Sequence, residues 1–187
     1  CFGIIKSLKK FFDLLPLAAR RTVAYALILS RLDYCNGLYV GTSKHIIQRI
    51  QIVQNAAARL VLKLPRRSSA TGALKALHWL LIHKRIVFKL VLLTYRAHKA
   101  TGPKYLSDRC THYVTSRPFR SSGSNFLKPI SCKLRTRGGK SFAVLGVKAW
   151  NCLPDSLRFI DNEFNFRKQL KTWVFTLPAD RCYSLIL

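Results

Sequence analysis

From Tyr34 to Ser107 the chain runs for 74 residues without an Asp or Glu, while the same stretch carries 13 Lys+Arg. The imbalance extends over all 187 residues, with 33 Lys+Arg against 7 Asp+Glu and a formal net charge of +26. Self-repulsion of this size opposes compaction, and a polyanionic partner is the simplest way to relieve it. Hydrophobic residues nonetheless make up 49% of the chain, with 11 Phe, 7 Tyr and 3 Trp, so it has the material for a packed core and is not a polar basic tail. The length suits one or two small domains. Nucleic acid is the leading partner class, and an anionic membrane the weaker one. No run reaches 18 apolar residues, and Arg20-Arg21 and Lys89 interrupt the richest segments, which argues against a membrane span.

The acids are Asp13, Asp33, Asp108, Asp155, Asp161, Glu163 and Asp180. A two-metal phosphoryl-transfer site needs several carboxylates converging on ions about 4 Å apart, and no such set is visible. Asp161 and Glu163 read instead as helix-start residues. The six Cys have no CxxC pair and no signal peptide ahead of them, so reduced, mostly buried thiols are expected. Cys110 and His112 with Cys132 and Cys152 form only a loose zinc pattern, because short ligand pairs are the usual signature. The five His show no partnered spacing and no nucleophile elbow is present, so the sequence offers no cofactor, metal site or catalytic set. Trp79, Trp150 and Trp173 each sit beside apolar residues and read as core anchors.

Periodicity predicts a mainly α fold. Residues 3–12 and 17–32 read as two helices parted by Pro16, the second apolar over most of its circumference and expected to be nearly buried. Asn36-Gly37 marks a turn. The strongest signal is 43–64, where Ile46, Ile50, Val53, Ala57, Leu60 and Leu64 form one stripe opposite Lys44, Gln48, Gln51, Asn55, Arg59 and Lys63. The Pro65-Arg-Arg sequence stops this helix and marks a boundary between residues 1–67 and 68–187. A helix over 82–99 carries Ile82, Ile86, Leu90, Leu93 and Ala97 on one side, with Arg85, Lys89, Arg96 and Lys99 on another. Residues 111–137, with Pro118, Gly123, Pro129 and five Ser, read as irregular chain with one or two short strands. Helices then follow over 141–151 and 163–177, with a short one restarting near Pro154 and Asp161 or Asn162 as cap of the last. That last helix carries Phe166, Leu170, Trp173 and Leu177 against Arg167, Lys168 and Lys171. No pattern is visible over 178–187.

The best phosphate-contact candidates are Arg135, Arg137 and Lys140, which flank two glycines just before a helix N-terminus. The spacing is not that of a P-loop. Arg66, Arg67, Arg117 and Arg120 lie in loops, while Arg59, Lys63, Arg85, Lys89 and Arg96 lie on helix faces. Such cations contact phosphate without reading base sequence, and no zinc finger, RNP motif or GxxG clamp accompanies them. A solvated charged face would look the same.

Several segments combine in a particular order: Leu29-Ser-Arg-Leu-Asp-Tyr-Cys-Asn36, Gln51-Ile-Val-Gln-Asn-Ala-Ala-Ala-Arg-Leu-Val61, Leu77-His-Trp-Leu80, Arg85-Ile-Val-Phe-Lys-Leu90, Thr94-Tyr95, Gly102-Pro-Lys-Tyr-Leu106, Arg117 to Ser122, Arg135-Thr-Arg-Gly138 and Trp150-Asn-Cys-Leu-Pro154. Over about residues 1–177 the chain resembles the C-terminal part of reverse transcriptases from non-LTR (LINE-type) retrotransposons, the chicken-repeat-like and related groups. The resemblance implies a parent RNA-directed DNA polymerase with an endonuclease, fingers and palm, followed by a helical thumb and a C-terminal region. It also implies a nuclear or cytoplasmic setting. Asp33-Tyr34 is followed by Cys-Asn, so the palm's paired aspartates have no match, and no catalytic residue carries over. The family usually has Leu-Pro-Val after His-Trp, where Leu80-Leu81-Ile82 stands, and an acid where Ala76 stands.

With no Met and Cys at residue 1, the chain reads as a piece of something larger, compatible with a truncated or decayed copy. Two readings follow. One is a non-enzymatic module, thumb-like over 1–67 and basic over 68–187, gripping RNA or DNA without a resolved preference. The other is a structural or interaction fragment whose apolar stripes pack against missing parent domains or another protein.

Overall fold

A computed structural model describes residues 1–113, 125–132 and 138–186. The chain is mainly helical. It divides into two compact units, Cys1–Arg85 and Ile86–Leu187, so the division lies beyond the Pro65 stop where the sequence suggested it.

In the first unit α1 (Phe2–Phe12) is followed by α2 (Leu17–Ala24), a π-helical turn (Tyr25–Leu29) and α3 (Ser30–Asp33). Both α1 and α2 pack on α4 (Lys44–Val61), and α5 (Ala70–Ala76) packs on its other flank. The α5 contact carries the unit past Pro65. The α2–α3 stretch is not nearly buried, contrary to expectation. Only Ala24, Ile28, Leu29 and Leu32 are enclosed, while Leu17, Tyr25 and Leu27 face outward.

The buried line of α4 is also rotated from the expected stripe. It runs through Ile47, Gln54, Ala57, Ala58 and Val61, leaving Ile46 and Leu64 exposed. The reason is polar. Gln54 Nε2 donates to the Leu80 carbonyl at 2.8 Å, and Gln51 Oε1 accepts the Ile82 N–H at 2.9 Å. These amides supply partners to backbone groups at the start of α6 (Ile82–His98), where the Leu80 carbonyl also accepts from Arg85.

Helix α4 ends before Pro65. Lys63 adopts φ 54°, and Leu64 donates its N–H to the Arg59 carbonyl at 2.9 Å, the six-to-one bond of a left-handed helix stop. His78 after α5 and Ala100 after α6 repeat the geometry at φ 53°, with the corresponding bonds Trp79 to Leu74 and Thr101 to Arg96. Glycine is the usual residue at such a stop, which is why the sequence did not mark these ends.

The second unit holds the rest of α6 from Ile86, α7 (Lys104–Ser107), a 3-10 turn (Gly138–Lys140), α8 (Phe142–Asn151), α9 (Asp155–Arg158), α10 (Glu163–Thr176) and α11 (Ala179–Ile186). Two of these elements were not foreseen: α5 in the first unit and α11 in the second. Tyr95 stacks on Phe166 at 4.1 Å between centroids and lies 6.3 Å from fully buried Trp150. Among the described residues of the irregular segment there is no strand, only one antiparallel bridge between His112 and Leu127. Asn151 does the pairing instead. Its Oδ1 accepts the Leu127 N–H at 3.0 Å and its Nδ2 donates to the Leu127 carbonyl at 2.9 Å, while Trp150 Nε1 donates to the Asn125 carbonyl.

Gly146 of α8 sits against α6 so closely that an added Cβ would stand 2.7 Å from Thr94 Oγ1 and 3.3 Å from the Phe142 ring. Gly146→Ala is expected to destabilise the protein by about 1–3 kcal/mol through overpacking, measured by urea unfolding. Adding Thr94→Ala should recover part of that loss, and an unchanged midpoint in the single variant would contradict the close approach.

Candidate nucleic-acid interface

In the first unit four of the candidate cations, Arg59, Lys63, Arg66 and Arg67, lie at or just beyond the C-terminal end of α4. Arg59 does not project into solvent. Its Nε donates to the Ser68 carbonyl at 2.9 Å, and Ser68 closes the turn back on Pro65. This fastening holds the turn that displays Arg66 and Arg67, which are exposed and have no ion-pair partner among the described residues. Lys63 reaches Asp13, donating to its carbonyl at 3.2 Å with the carboxylate at 3.4 Å. Both side chains are well exposed, so the pair is weak and open to exchange for another anion. Two guanidinium nitrogens of Arg20 are buried without a hydrogen-bond partner among the described residues.

Helix α6 differs from the outward basic face its spacing suggested. No residue from Ile82 to Lys99 is exposed, and the cations are half-buried. Arg85 Nη1 donates to both Asp33 oxygens at 2.8 and 2.6 Å, and its Nε donates to the Leu80 carbonyl at 2.9 Å. Arg96 donates to Glu163 Oε1 at 3.0 and 2.5 Å. Lys99, which the sequence placed on the same face, binds the Asp161 carboxylate at 2.5 Å. Tyr95 donates its hydroxyl to the Asp161 carbonyl. Three α6 side chains thus fasten the start of α10, whose N-cap is Asn162, accepting from the N–H groups of Phe164 and Asn165. Arg85 and Arg96 are internal ties before they are candidates for phosphate. Lys89 is half-buried on the same helix.

Lys140 is exposed at the end of the 3-10 turn that leads into α8. Arg117, Arg120, Arg135 and Arg137 lie outside the described residues. Exposed cations that the sequence reading did not single out as contacts include Lys6, Lys9 and Lys10 along α1 and Arg167, Lys168 and Lys171 along α10. Their spacings of three and four were visible, but nothing in the sequence separated them from an ordinary solvated face.

Of the six Cys, Cys110 and Cys182 are buried, whereas Cys1, Cys35 and Cys152 are exposed, so the thiols are less enclosed than expected. Burial pushes the Cys110 thiol pKa up. Among the described residues no three His, Cys, Asp or Glu side chains group as metal ligands. No described helix is long and apolar enough to cross a membrane. Comparison with protein-family models, with curated proteins and with solved structures returns no match.

The imidazoles of buried His83 and half-buried His98 give the protein a pH response. Burial lowers His83 to about 4, helped by the Lys84 charge, and lowers His98 to about 4, helped by His112 and Lys99. The unfolded chain, with ordinary His near 6.5, therefore binds more protons than the folded one between these values. The contribution of both groups is complete above about pH 6.5 and is lost as pH falls toward about 4. Arg96 holds Glu163, and Lys99 holds Asp161, below the usual carboxylate range, which adds loss at the acid end of the window. Urea midpoints are expected to fall steadily from pH 7 to pH 4. A flat profile from pH 6.5 to 5 would contradict neutral burial of the two imidazoles.

Proposed function

We propose that the chain is a non-catalytic nucleic-acid-binding module that grips RNA or DNA through its basic loops and helix faces. In the family it resembles, this is the role of the thumb and post-thumb region of a non-LTR retrotransposon reverse transcriptase, acting beside a palm that carries the catalytic acids. On this reading the isolated chain has no polymerase activity and works in the nucleus or cytoplasm.

One observation carries the proposal: the excess charge has no internal sink. Residues 1–85 contain 15 Lys+Arg against 2 acids, and residues 86–187 contain 18 against 5. Five of the seven acids, Asp13, Asp33, Asp155, Asp161 and Glu163, already form ion pairs with the chain's own cations. The surplus is shared by both units, and a phosphate backbone supplies regularly spaced counter-charge at the required density.

A second reading, a fragment that packs against other domains or another protein, is favoured by the apolar surface of the first unit. Phe2, Phe11, Leu14, Tyr25, Tyr34 and Leu38 are all more than half exposed. Scattered exposed apolar residues are common, but this density is high for one small unit. The two readings are compatible if one surface docks and another grips.

A salt titration with structured RNA and with duplex DNA tests the proposal. Affinity should fall linearly with salt on logarithmic axes. Arg66→Gln with Arg67→Gln should reduce the slope by about 1 to 2, and Arg135→Gln, Arg137→Gln and Lys140→Gln together by about 2 to 3. Negligible binding at low salt would sink the proposal. An unchanged affinity and slope in both variants would remove these residues as contacts.

A further inference from the structure

Beside α9 and α10 lies an open cleft of about 560 Å³ lined by Pro154, Ser156, Leu157, Asn165, Lys168, Gln169, Thr172 and Trp173. From this cleft we propose a seat for a single unstacked nucleobase, where the bound strand is held by its base as well as its phosphates. The inference rests on the nucleic-acid reading above and names one place where that reading becomes local.

Asn165, Gln169 and Trp173 succeed one another at four-residue steps and therefore lie along one face of α10. Lys168 and Thr172 flank them on the same side. The helix is turned so that Val174 is fully buried and Trp173, which the apolar spacing placed in the core, is only half-buried at the cleft. The partly exposed Trp173 indole beside a buried Leu157 offers an aromatic surface to a base. The Thr172 hydroxyl donates to the Lys168 carbonyl at 3.2 Å, but the Asn165 and Gln169 carboxamides and the Lys168 ammonium are exposed and have no partner among the described residues.

The lining therefore combines one aromatic surface, two carboxamides able both to donate and to accept, and one cation, with no carboxylate. Aromatic stacking holds any base and tolerates sequence, amides reach the polar edge of the base, and an ammonium meets the adjoining phosphate. Arg167 and Lys171, exposed on the same helix, extend the positive field along the strand. An acidic peptide would find a cation here too, but it would leave the indole and the two amides without the flat, polar-edged group they suit.

The full chain can be tested through its own fluorescence, because Trp150 is 0% and Trp79 9% exposed, which leaves Trp173 as the indole open to a ligand. The probes are an eight-nucleotide oligouridylate, an abasic oligomer of equal length and charge, and oligoglutamate. The oligouridylate is expected to quench the emission and to bind more tightly than the abasic strand. Trp173→Leu should weaken the oligouridylate about fivefold to a hundredfold at fixed salt and leave the abasic strand unchanged, whereas Trp173→Phe keeps most of the affinity. Anisotropy of labelled strands reads binding in the Trp173 variants. Asn165→Ala with Gln169→Ala, both on exposed positions, should weaken oligouridylate several-fold without lowering the melting temperature, which covers the case of a misfolded Trp173 variant. Equal oligouridylate binding by wild type, Trp173→Leu and the double variant overturns the seat while salt-sensitive binding, and with it the broader reading, stands. No binding of either strand at low salt overturns both. Oligoglutamate binding that is as tight and as dependent on Trp173 would overturn the base in favour of an acidic peptide.

Discussion

Seven carboxylates must serve 33 cations, and the structure places three of them, Asp33, Asp161 and Glu163, where an ion pair also fixes the path of the chain. Asp33 draws Arg85 in, and Arg85 in turn donates to the Leu80 carbonyl, so the end of α3 is tied to the start of α6. Asp161 and Glu163 do the same for α6 and α10, binding Lys99 and Arg96 one helical turn apart. Breaking the Arg85 or Arg96 pair would leave a charge in a partly enclosed site, so Asp33 and Glu163 matter more to folding than an exposed pair such as Lys63–Asp13 does. Acids used in this way are not available to neutralise the remaining surface. The same shortage therefore shapes the fold and leaves the field that favours a polyanion.

Periodicity carried most of the architecture. The helices now seen at Phe2–Phe12, Lys44–Val61, Ile82–His98, Phe142–Asn151 and Glu163–Thr176 all lie close to where apolar spacing put them. The spacing misled where a polar side chain belongs inside. Gln51 and Gln54 look like surface residues by type, yet they bind backbone more than 25 residues away, and that rotates α4 by enough to expose Ile46. Helix ends were hidden because Lys63, His78 and Ala100 hold left-handed positions usually given to glycine. The short α5, with Gly72 inside it, had too little pattern to register.

The candidate site was legible in its residue types and not in their pairings. A sequence shows that Arg85 and Arg96 are basic. It cannot show that partners 52 and 67 residues away will bind them. Conversely, Arg59 appeared as one more cation, but its contact with the Ser68 carbonyl makes it the support of the turn that presents Arg66 and Arg67. Trp173 shifted from core to cleft because Val174 took the enclosed position, a difference of one residue along α10. In each case long-range contact decided what local spacing left open.

The central claim is that uncompensated positive charge on both units is the property through which the chain acts. Thermal melting at low ionic strength, with and without a stoichiometric structured RNA, addresses it most directly. Binding to the folded state alone raises its stability, and relief of self-repulsion acts in the same direction. The account predicts that RNA raises the melting temperature at low salt, that added salt alone raises it by screening, and that the RNA increment shrinks as salt increases. A melting temperature indifferent to both RNA and salt would contradict it.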